Sequence, residues 1–361
     1  MKTSTNVYST SSSYLTQHSE NYKDVLLVHL EGQDLSSSPH QFPPNAIYIN
    51  LNDCDIESFD AFSIPDKVEI LNMDDNEDLT MDATKLPKNI GVLSLNNTNS
   101  LNTFSDTILK NLRTLSLFGS GVQHFERNYL PFLSDLRWLK SWDGASSEIK
   151  VISNNYIGLV ETFNLEGGGS LETFTDNTCP STTSLNLNGN VLTSFDNSNK
   201  LPALTHLSLS ANKISSFSFV PSSNLLSLDL SSNNISGVFD VSTLPSTLTK
   251  LNISSNSIKS IKGLEKLVNL TELHAKENKI KHIDLSPLLK LEVAKLSFNR
   301  LTEFNKEGKP LSPNLTKLDL SDNPIQEINL GVNHNITSLS LASITQKRKK
   351  VRPSVEVEEE D

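Results

Sequence analysis

One spacing recurs through this chain often enough to decide most of its architecture: an aliphatic residue, two variable positions, a leucine, one variable position, a second leucine, two variable positions and an asparagine. It is read most clearly at Leu204-Leu207-Leu209-Asn212, Leu225-Leu228-Leu230-Asn233, Leu248-Leu251-Ile253-Asn256, Leu270-Leu273-Ala275-Asn278, Leu291-Ala294-Leu296-Asn299 and Leu315-Leu318-Leu320-Asn323. Weaker copies start at Val25, Ala46, Val68, Ile90, Leu112, Leu136, Val160 and Thr182, and a last one at Ile336, giving fifteen units at steps of 21 to 24 residues. Repetition at this period marks a stack of small units, because one unit cannot bury its apolar face alone whereas stacked neighbours can. It also explains the composition, in which 54 of 361 residues are Leu while Met and Trp number 3 and 2.

Within a unit the second and third aliphatic positions alternate as a short strand requires, so both point inward and the residue between them points out. The asparagine falls where the strand ends in a turn, and its amide offers two donors and an acceptor to backbone groups the turn leaves unpaired. Asn76, Asn190, Asn212, Asn233, Asn256, Asn278, Asn299 and Asn323 occupy this slot. Cys54 fills it in the second unit and is read as structural rather than as a redox or metal-binding thiol. Gln33, Thr98, Ser120, Gly144 and Gly168 depart from the pattern, so the N-terminal half is expected to be less regular. Further aliphatics and Phe or Ile recur two and five positions past the slot, as in Val122/Phe125, Ile214/Phe217 and Leu301/Phe304, and are expected to form a second inner wall. Prolines shortly before many strands (Pro44, Pro65, Pro202, Pro245 and others) make the connecting segments extended or turn-like, with helix expected mainly near 263 to 270.

The pattern LxxLxLxx(N/C)xL resembles the leucine-rich repeat family over roughly Val25 to Ile344. That resemblance implies an α/β-type, β-rich solenoid: a right-handed superhelix with a parallel sheet on the concave face and mostly extended, turn or short 3-10 segments on the convex face. Residues 258 to 273 look like the short-repeat subfamily that includes phosphatase-regulating members.

The third position of each unit faces outward and runs Leu27, Tyr48, Ile70, Val92, Thr114, Trp138 in the first six units, then Thr162, Ser184, His206, Ser227, Lys250, Glu272, Val293, Lys317, Ser338. One half is apolar and the other polar. Trp138 and Trp142 both fall on outward positions of the sixth unit, with Phe118 beside Trp142 on the fifth. Aromatics on adjacent strands about 4.8 Å apart make a compact anchor for a protein partner. A partner site formed by Tyr48, Ile70, Phe118, Trp138 and Trp142 is therefore expected. The sixth unit admits a second register, with Leu133 and Leu136 as its aliphatics, which turns Trp138 into the core. The first is preferred because Asp135-Leu136-Arg137 repeats Asn111-Leu112-Arg113.

Charge divides along the same line. The net charge is -11, yet residues 1 to 180 hold 24 acidic and 11 basic residues (-13), while 181 to 361 hold 18 and 20 (+2). A partner with a basic surface is expected, and nucleic acid is disfavoured. Asp74-Asp75-Asn76-Glu77-Asp78 lacks the glycine at the sixth and the glutamate at the twelfth position of a calcium loop. His29, His206 and His274 lie several units apart, too far to share a metal or serve one nucleophile. Gly167-Gly168-Gly169 is not followed by the Lys-Ser/Thr of a phosphate loop and reads as a turn. No catalysis, metal or cofactor is expected.

The expected organisation is a disordered, Ser/Thr/Asn-rich segment over 1 to 22, a solenoid of about fifteen repeats over 23 to 345, and a disordered basic-then-acidic tail over 346 to 361. In the tail, Lys347, Arg348, Lys349, Lys350 and Arg352 read as a nuclear import signal. No apolar run suits a signal peptide, no stretch is long enough to span a membrane, and Cys-rich caps are absent. The expectation is a monomeric, non-catalytic protein-interaction scaffold of the cytoplasm, with nuclear entry if the basic run acts. Two alternatives stand beside it: the ligand-recognising ectodomain of a receptor-like kinase, extracellular and a fragment, and a phosphatase regulatory subunit.

Overall fold

The computed structural model describes residues 7–9, 25–36, 41–137, 149–220, 223–331 and 335–342. The chain divides into two units, Met1–Thr182 with Ser198–Leu201, and Thr183–Asn197 with Pro202–Asp361. Each is a parallel-strand solenoid with almost no helix, and about 13 turns are formed altogether. Short 3-10 segments stand at Phe59–Ala61, Ala83–Lys85 and Leu264–Lys266, the last in the region expected to be helical.

In the N-terminal unit a parallel ladder sheet runs through Val7–Ser9, Leu27–His29, Tyr48–Asn50, Ile70–Asn72, Val92–Ser94, Thr114–Ser116 and Asp135–Arg137. Its first strand lies within the segment expected to be disordered, and pairs Val7 with Leu27. In the C-terminal unit the ladder strands are Ser184–Asn186, His206–Ser208, Ser227–Asp229, Lys250–Asn252, Glu272–His274, Val293–Lys295, Lys317–Asp319 and Ser338–Ser340. The alternation read from the sequence holds on both. Val28, Ile49, Leu71, Leu93 and Leu115 are fully buried in one unit, as are Leu273 and Ala294 in the other.

One register differs from the expected one. Asp135 pairs with Thr114 and Leu136 with Leu115, so Leu133 takes the place of Leu112, and both are fully buried. The backbone agrees: Ser134 and Asp135 both donate to Arg113 O, as Arg113 and Thr114 donate to Gly91 O. A matching tripeptide is a weaker constraint than the burial of an aliphatic residue, and the expected register would have left Leu133 without its place in the core.

The asparagine slot works as a ladder between coils. Asn278 donates from Nδ2 to Ile253 O of the previous coil (2.9 Å) and to Ala275 O and Lys276 O of its own (3.3 and 3.2 Å), and accepts at Oδ1 from Ile258 N (2.9 Å). Asn212, Asn233, Asn256, Asn299 and Asn323 each repeat this donation across to the preceding coil. Cys54 performs part of the same task, its thiol donating to Leu30 O at 2.8 Å, while Asn76 accepts from the Cys54 amide at 3.1 Å. Thr98 and Ser120 are shorter and reach carbonyls of their own coils, Leu95 O and Leu117 O. The residue before the slot is left-handed in coil after coil, including Ala211 (φ 53°), Ser232 (54°), Glu277 (56°) and Phe298 (54°). Such a conformation is costly for a side chain with a Cβ, and the ladder bonds that follow hold it in place.

The second wall is more ordered than the sequence suggests. In the N-terminal unit it is a four-stranded parallel sheet of Thr103–Ser105, His124–Glu126, Val151–Ser153 and Thr173–Thr175, with Phe104, Phe125, Ile152 and Phe174 side by side. The Phe104 and Phe125 rings stack 5.6 Å apart at 9°. A second polar ladder follows it. Asn128 Nδ2 donates to Phe104 O, Asn155 Nδ2 to Phe125 O, Asn177 Nδ2 to Ile152 O and Asn199 Nδ2 to Phe174 O, at 3.0, 2.9, 3.0 and 2.8 Å. The residues before Thr107, Asn128, Asn155 and Asn177 are again left-handed. In the C-terminal unit the wall is split into strand pairs, and Phe217, Ile261, Ile283 and Ile328 are only half-buried.

Both cysteines are free and buried, and burial pushes the thiols up to about 11 for Cys54 and about 12 for Cys179. At pH 8 that leaves roughly one thiolate in a thousand at Cys54 and fewer at Cys179, and the thiolate is the reacting form. Neither thiol is expected to react with a disulfide reagent in the native protein, whereas both should titrate once the chain is unfolded in denaturant. Two fast-reacting thiols in native protein would contradict the structural assignment of Cys54.

Candidate functional site

The outward side of the ladder sheet in the N-terminal unit presents its side chains in columns. Leu27, Tyr48, Ile70 and Val92 stand opposite one another on four adjacent strands. Ile70 is 38% exposed, the other three are half-buried, and the Tyr48 ring lies 4.9 Å from that of His29. The column is held from below by the fully buried Val28, Ile49, Leu71 and Leu93.

Tyr48 and Ile70 are thus brought together, but Phe118 is not. It lies in line with Asp74 and Asn96, four residues after Thr114 and past the end of the strand Thr114–Ser116. Its amide donates to Asn96 Oδ1 at 2.9 Å, and Asn96 Nδ2 in turn donates to Asp74 Oδ2 at 3.1 Å. Trp138, Trp142 and the basic run from Lys347 to Arg352 lie outside the described residues.

A second exposed apolar group was not anticipated. Ile108 (63% exposed) and Tyr129 (42%) pair across neighbouring coils, Tyr129 pairs with Tyr156 with rings 5.0 Å apart, and Phe132 and Leu159 follow three residues after the two tyrosines. The signal was present: each of Ile108, Tyr129 and Tyr156 directly follows a slot of the second ladder.

In the C-terminal unit the outward face is polar and forms a cup of about 500 Å³. His274, Lys276, Lys295, Ser254, Ser297 and Phe298 lie in its wall, with Asp319 at one side. Burial, and then the nearby charge of Lys295, hold the His274 imidazole below its ordinary pKa. His206 stands three strands from the His274 strand, about 14 Å away. Among the described residues no three His, Cys, Asp or Glu side chains are grouped to hold a metal ion. No helix among them is long and apolar enough to cross a membrane.

Comparison with known proteins agrees with the repeat fold. A family model described as leucine-rich repeats in two copies matches residues 183–222, and a single-repeat model matches 222–238 and 311–327. Lumican from Bos taurus is 34% identical over 114 residues, covering 30% of this chain and 32% of lumican. A protein phosphatase 1 regulatory inhibitor subunit PPP1R7 homolog from Arabidopsis thaliana is 32% identical over 127 residues, covering 33% of this chain and 38% of that protein. The chain therefore spans about a third of the length of these relatives. YopM from Yersinia enterocolitica WA-314 shares the fold, with a TM-score of 0.51 at 19% identity over 93% of this chain and 69% of that one. Nothing in these likenesses indicates an enzyme. With its spacing, its coil-to-coil asparagine bonds and the repeat models that match it, the chain is a leucine-rich repeat protein.

Proposed function

We propose that this chain is a non-catalytic scaffold that holds a protein or peptide partner on the ladder sheet of its N-terminal unit, centred on Leu27, Tyr48, Ile70 and Val92. The observation that carries the reading is the column itself: four apolar side chains in register on a sheet whose inner face is fully packed. Such a surface is rigid before binding, so little ordering entropy opposes association. Glu31 and Asp74 lie on the same face, and residues 1 to 180 carry a net charge of -13, so the partner has an apolar patch bordered by basic residues. Similarity to the PPP1R7 homolog favours a phosphatase regulatory role as a second reading. The intracellular location and the monomeric state belong to the same proposal.

The double variant Tyr48→Glu with Ile70→Glu tests it. Both side chains face outward, so its thermal midpoint should stay within a few degrees of wild type, while partner capture from a native extract should fall at least tenfold, as for central interface residues. Undiminished capture by a folded variant would remove this face from the proposal.

A further inference from the structure

Four cations stand together on the flank of the C-terminal unit that follows the asparagine slots. Lys279 and Arg300 each come directly after a slot, and Lys259 and Lys281 come two residues later on their coils. The residues between these two places, Ile258, Ile280 and Leu301, are buried, so both places face outward. The coils are in direct contact: Lys279 N donates to Ile258 O, Arg300 N donates to Ile280 O, and Lys279 Nζ reaches back to Ser257 Oγ at 3.0 Å. With about 4.8 Å between coils and about 3.3 Å per residue along them, the four Cα atoms fall within about 12 Å of one another. Lys259 is also the extra residue of a β-bulge. Within the strand Ser257–Lys262, Ile258 pairs with Gly237 and Ser260 with Val238, which leaves Lys259 unopposed. Bulges re-aim a side chain out of the regular row.

The four charges are uncompensated. Lys259, Lys281 and Arg300 make no ion pair or side-chain hydrogen bond among the described residues, and Lys279 has only the Ser257 hydroxyl. The carboxylates around them are engaged elsewhere: Glu277 with Ser255 Oγ at 2.8 Å and Lys276 at 3.3 Å, Glu303 with Lys306 at 3.4 Å, and Asp240 with Lys262 at 3.3 Å. That leaves Asp322, one coil beyond Phe298 and without an ion pair among the described residues, against four cations. Like charges held together without partners repel one another, and an anionic ligand relieves that repulsion.

Phe298 borders the group, two residues before Arg300. It is 55% exposed and left-handed, with φ 54°. The residues in the same left-handed place on other coils are Ala211, Ser232, Ser255, Glu277 and Asp322, all small or polar. A bulky side chain rarely occupies this conformation, and with most of its surface in solvent, packing does not account for Phe298.

We infer that this flank binds a short acidic peptide segment of a protein partner, its carboxylates on Lys259, Lys279, Lys281 and Arg300 and one apolar side chain against Phe298. Hydrogen bonds from lysine and arginine to a carboxylate are charge-assisted and stronger than neutral ones. The charge pattern selects a peptide over a nucleic acid strand. A strand is charged along its whole length and would run off the four cations onto Glu277, Glu303 and Asp322, and the net charge of -11 opposes a long polyanion. A peptide ends its run of carboxylates where the cations end. This flank belongs to the C-terminal unit, apart from the ladder column proposed above, whose partner carries basic residues.

The test titrates the full chain at low salt with four labelled probes, read by fluorescence anisotropy. They are a peptide of four glutamates and one phenylalanine, its counterpart with glutamines for glutamates, its counterpart with alanine for phenylalanine, and a single-stranded oligonucleotide. Binding of the first, weakened by added salt, and none of the glutamine peptide is expected. Lys259→Ala with Lys281→Ala should weaken it at least fivefold at an unchanged thermal midpoint, since neither ammonium has a protein partner to lose. Lys88→Ala with Lys110→Ala removes the same charge from exposed residues of the other unit and should leave it unchanged. Phe298→Ala should bring the phenylalanine peptide down to the affinity of the alanine peptide. Equal losses in the two lysine pairs would reduce the flank to general electrostatics and overturn the proposal. Tighter binding of the oligonucleotide would assign the flank to nucleic acid and overturn it too, as would absence of acidic-peptide binding. An unchanged affinity in Phe298→Ala would overturn its apolar part.

Discussion

Replacing Asn278 by alanine is expected to destabilise the protein by about 3 kcal/mol or more, at roughly 1 kcal/mol for each buried hydrogen bond lost and more where a backbone group is left unpaired. Four bonds depend on that one amide, and they join two coils: the amide of Ile258 and the carbonyl of Ile253 belong to the coil before. Stability in a stack of repeats is a sum of coil terms and nearest-neighbour terms, so the loss falls on one coupling. Urea unfolding followed by circular dichroism should show a lower midpoint and a broadened or split transition. Asn278→Cys should be milder, because Cys54 holds an equivalent slot by donating to the matching carbonyl of the preceding coil, Leu30 O. If both variants unfolded like wild type, the ladder would be an accessory to the fold instead of its coupling.

Phe125→Ala should cost a further large amount, about 3 to 5 kcal/mol, as for a fully buried aromatic cut back to alanine. Phe125 lies at 0% exposure in the middle of the second sheet, between Phe104 and Ile152, and loses a stacked neighbour as well as its burial. Phe217→Ala, at the corresponding position of a coil where the second wall is a strand pair and the ring is half-buried, should cost clearly less. Thermal unfolding of the two variants side by side gives the comparison. Similar small losses in both would mean that the second sheet is loosely packed and that the coils are held from the ladder sheet alone.

These two positions also show how far the residues could be read. Asn278 was legible because six clear copies of one spacing put an amide at the same turn each time, and a recurring turn has a recurring set of unpaired backbone groups. Phe125 was legible as a wall residue but not as part of a sheet, since a periodic Phe indicates burial and not the hydrogen bonding of the strand that carries it. The second ladder was written in the residues too: Phe125-x-x-Asn128, Ile152-x-x-Asn155 and Phe174-x-x-Asn177 repeat one motif. The first spacing masks it, because that spacing already assigns an asparagine to many of the units.

The proposed partner face was half legible. Alternation identified Tyr48 and Ile70 as outward neighbours, and strand pairing places them so. Phe118 is outward as well, yet it belongs to another column, beyond the end of the strand Thr114–Ser116, a distinction that the residue type does not carry. The sixth unit went astray for a related reason. The tripeptide Asp135-Leu136-Arg137 repeats Asn111-Leu112-Arg113, but the burial of Leu133 sets the register.

What the sequence by itself determined is the coil: its length, its inward residues and its turn asparagine, because each is imposed again at every step and one unit's needs are those of its neighbours. What only the tertiary structure decided is which residues about twenty positions apart stand side by side, and which of their polar groups are already satisfied. Ser231 and Ser254 occupy the same place in their repeats, and the residue two positions before them differs, Asp229 against Asn252. Asp229 takes the first hydroxyl, whereas Asn252, an amide at the equivalent position, leaves the second facing the cup.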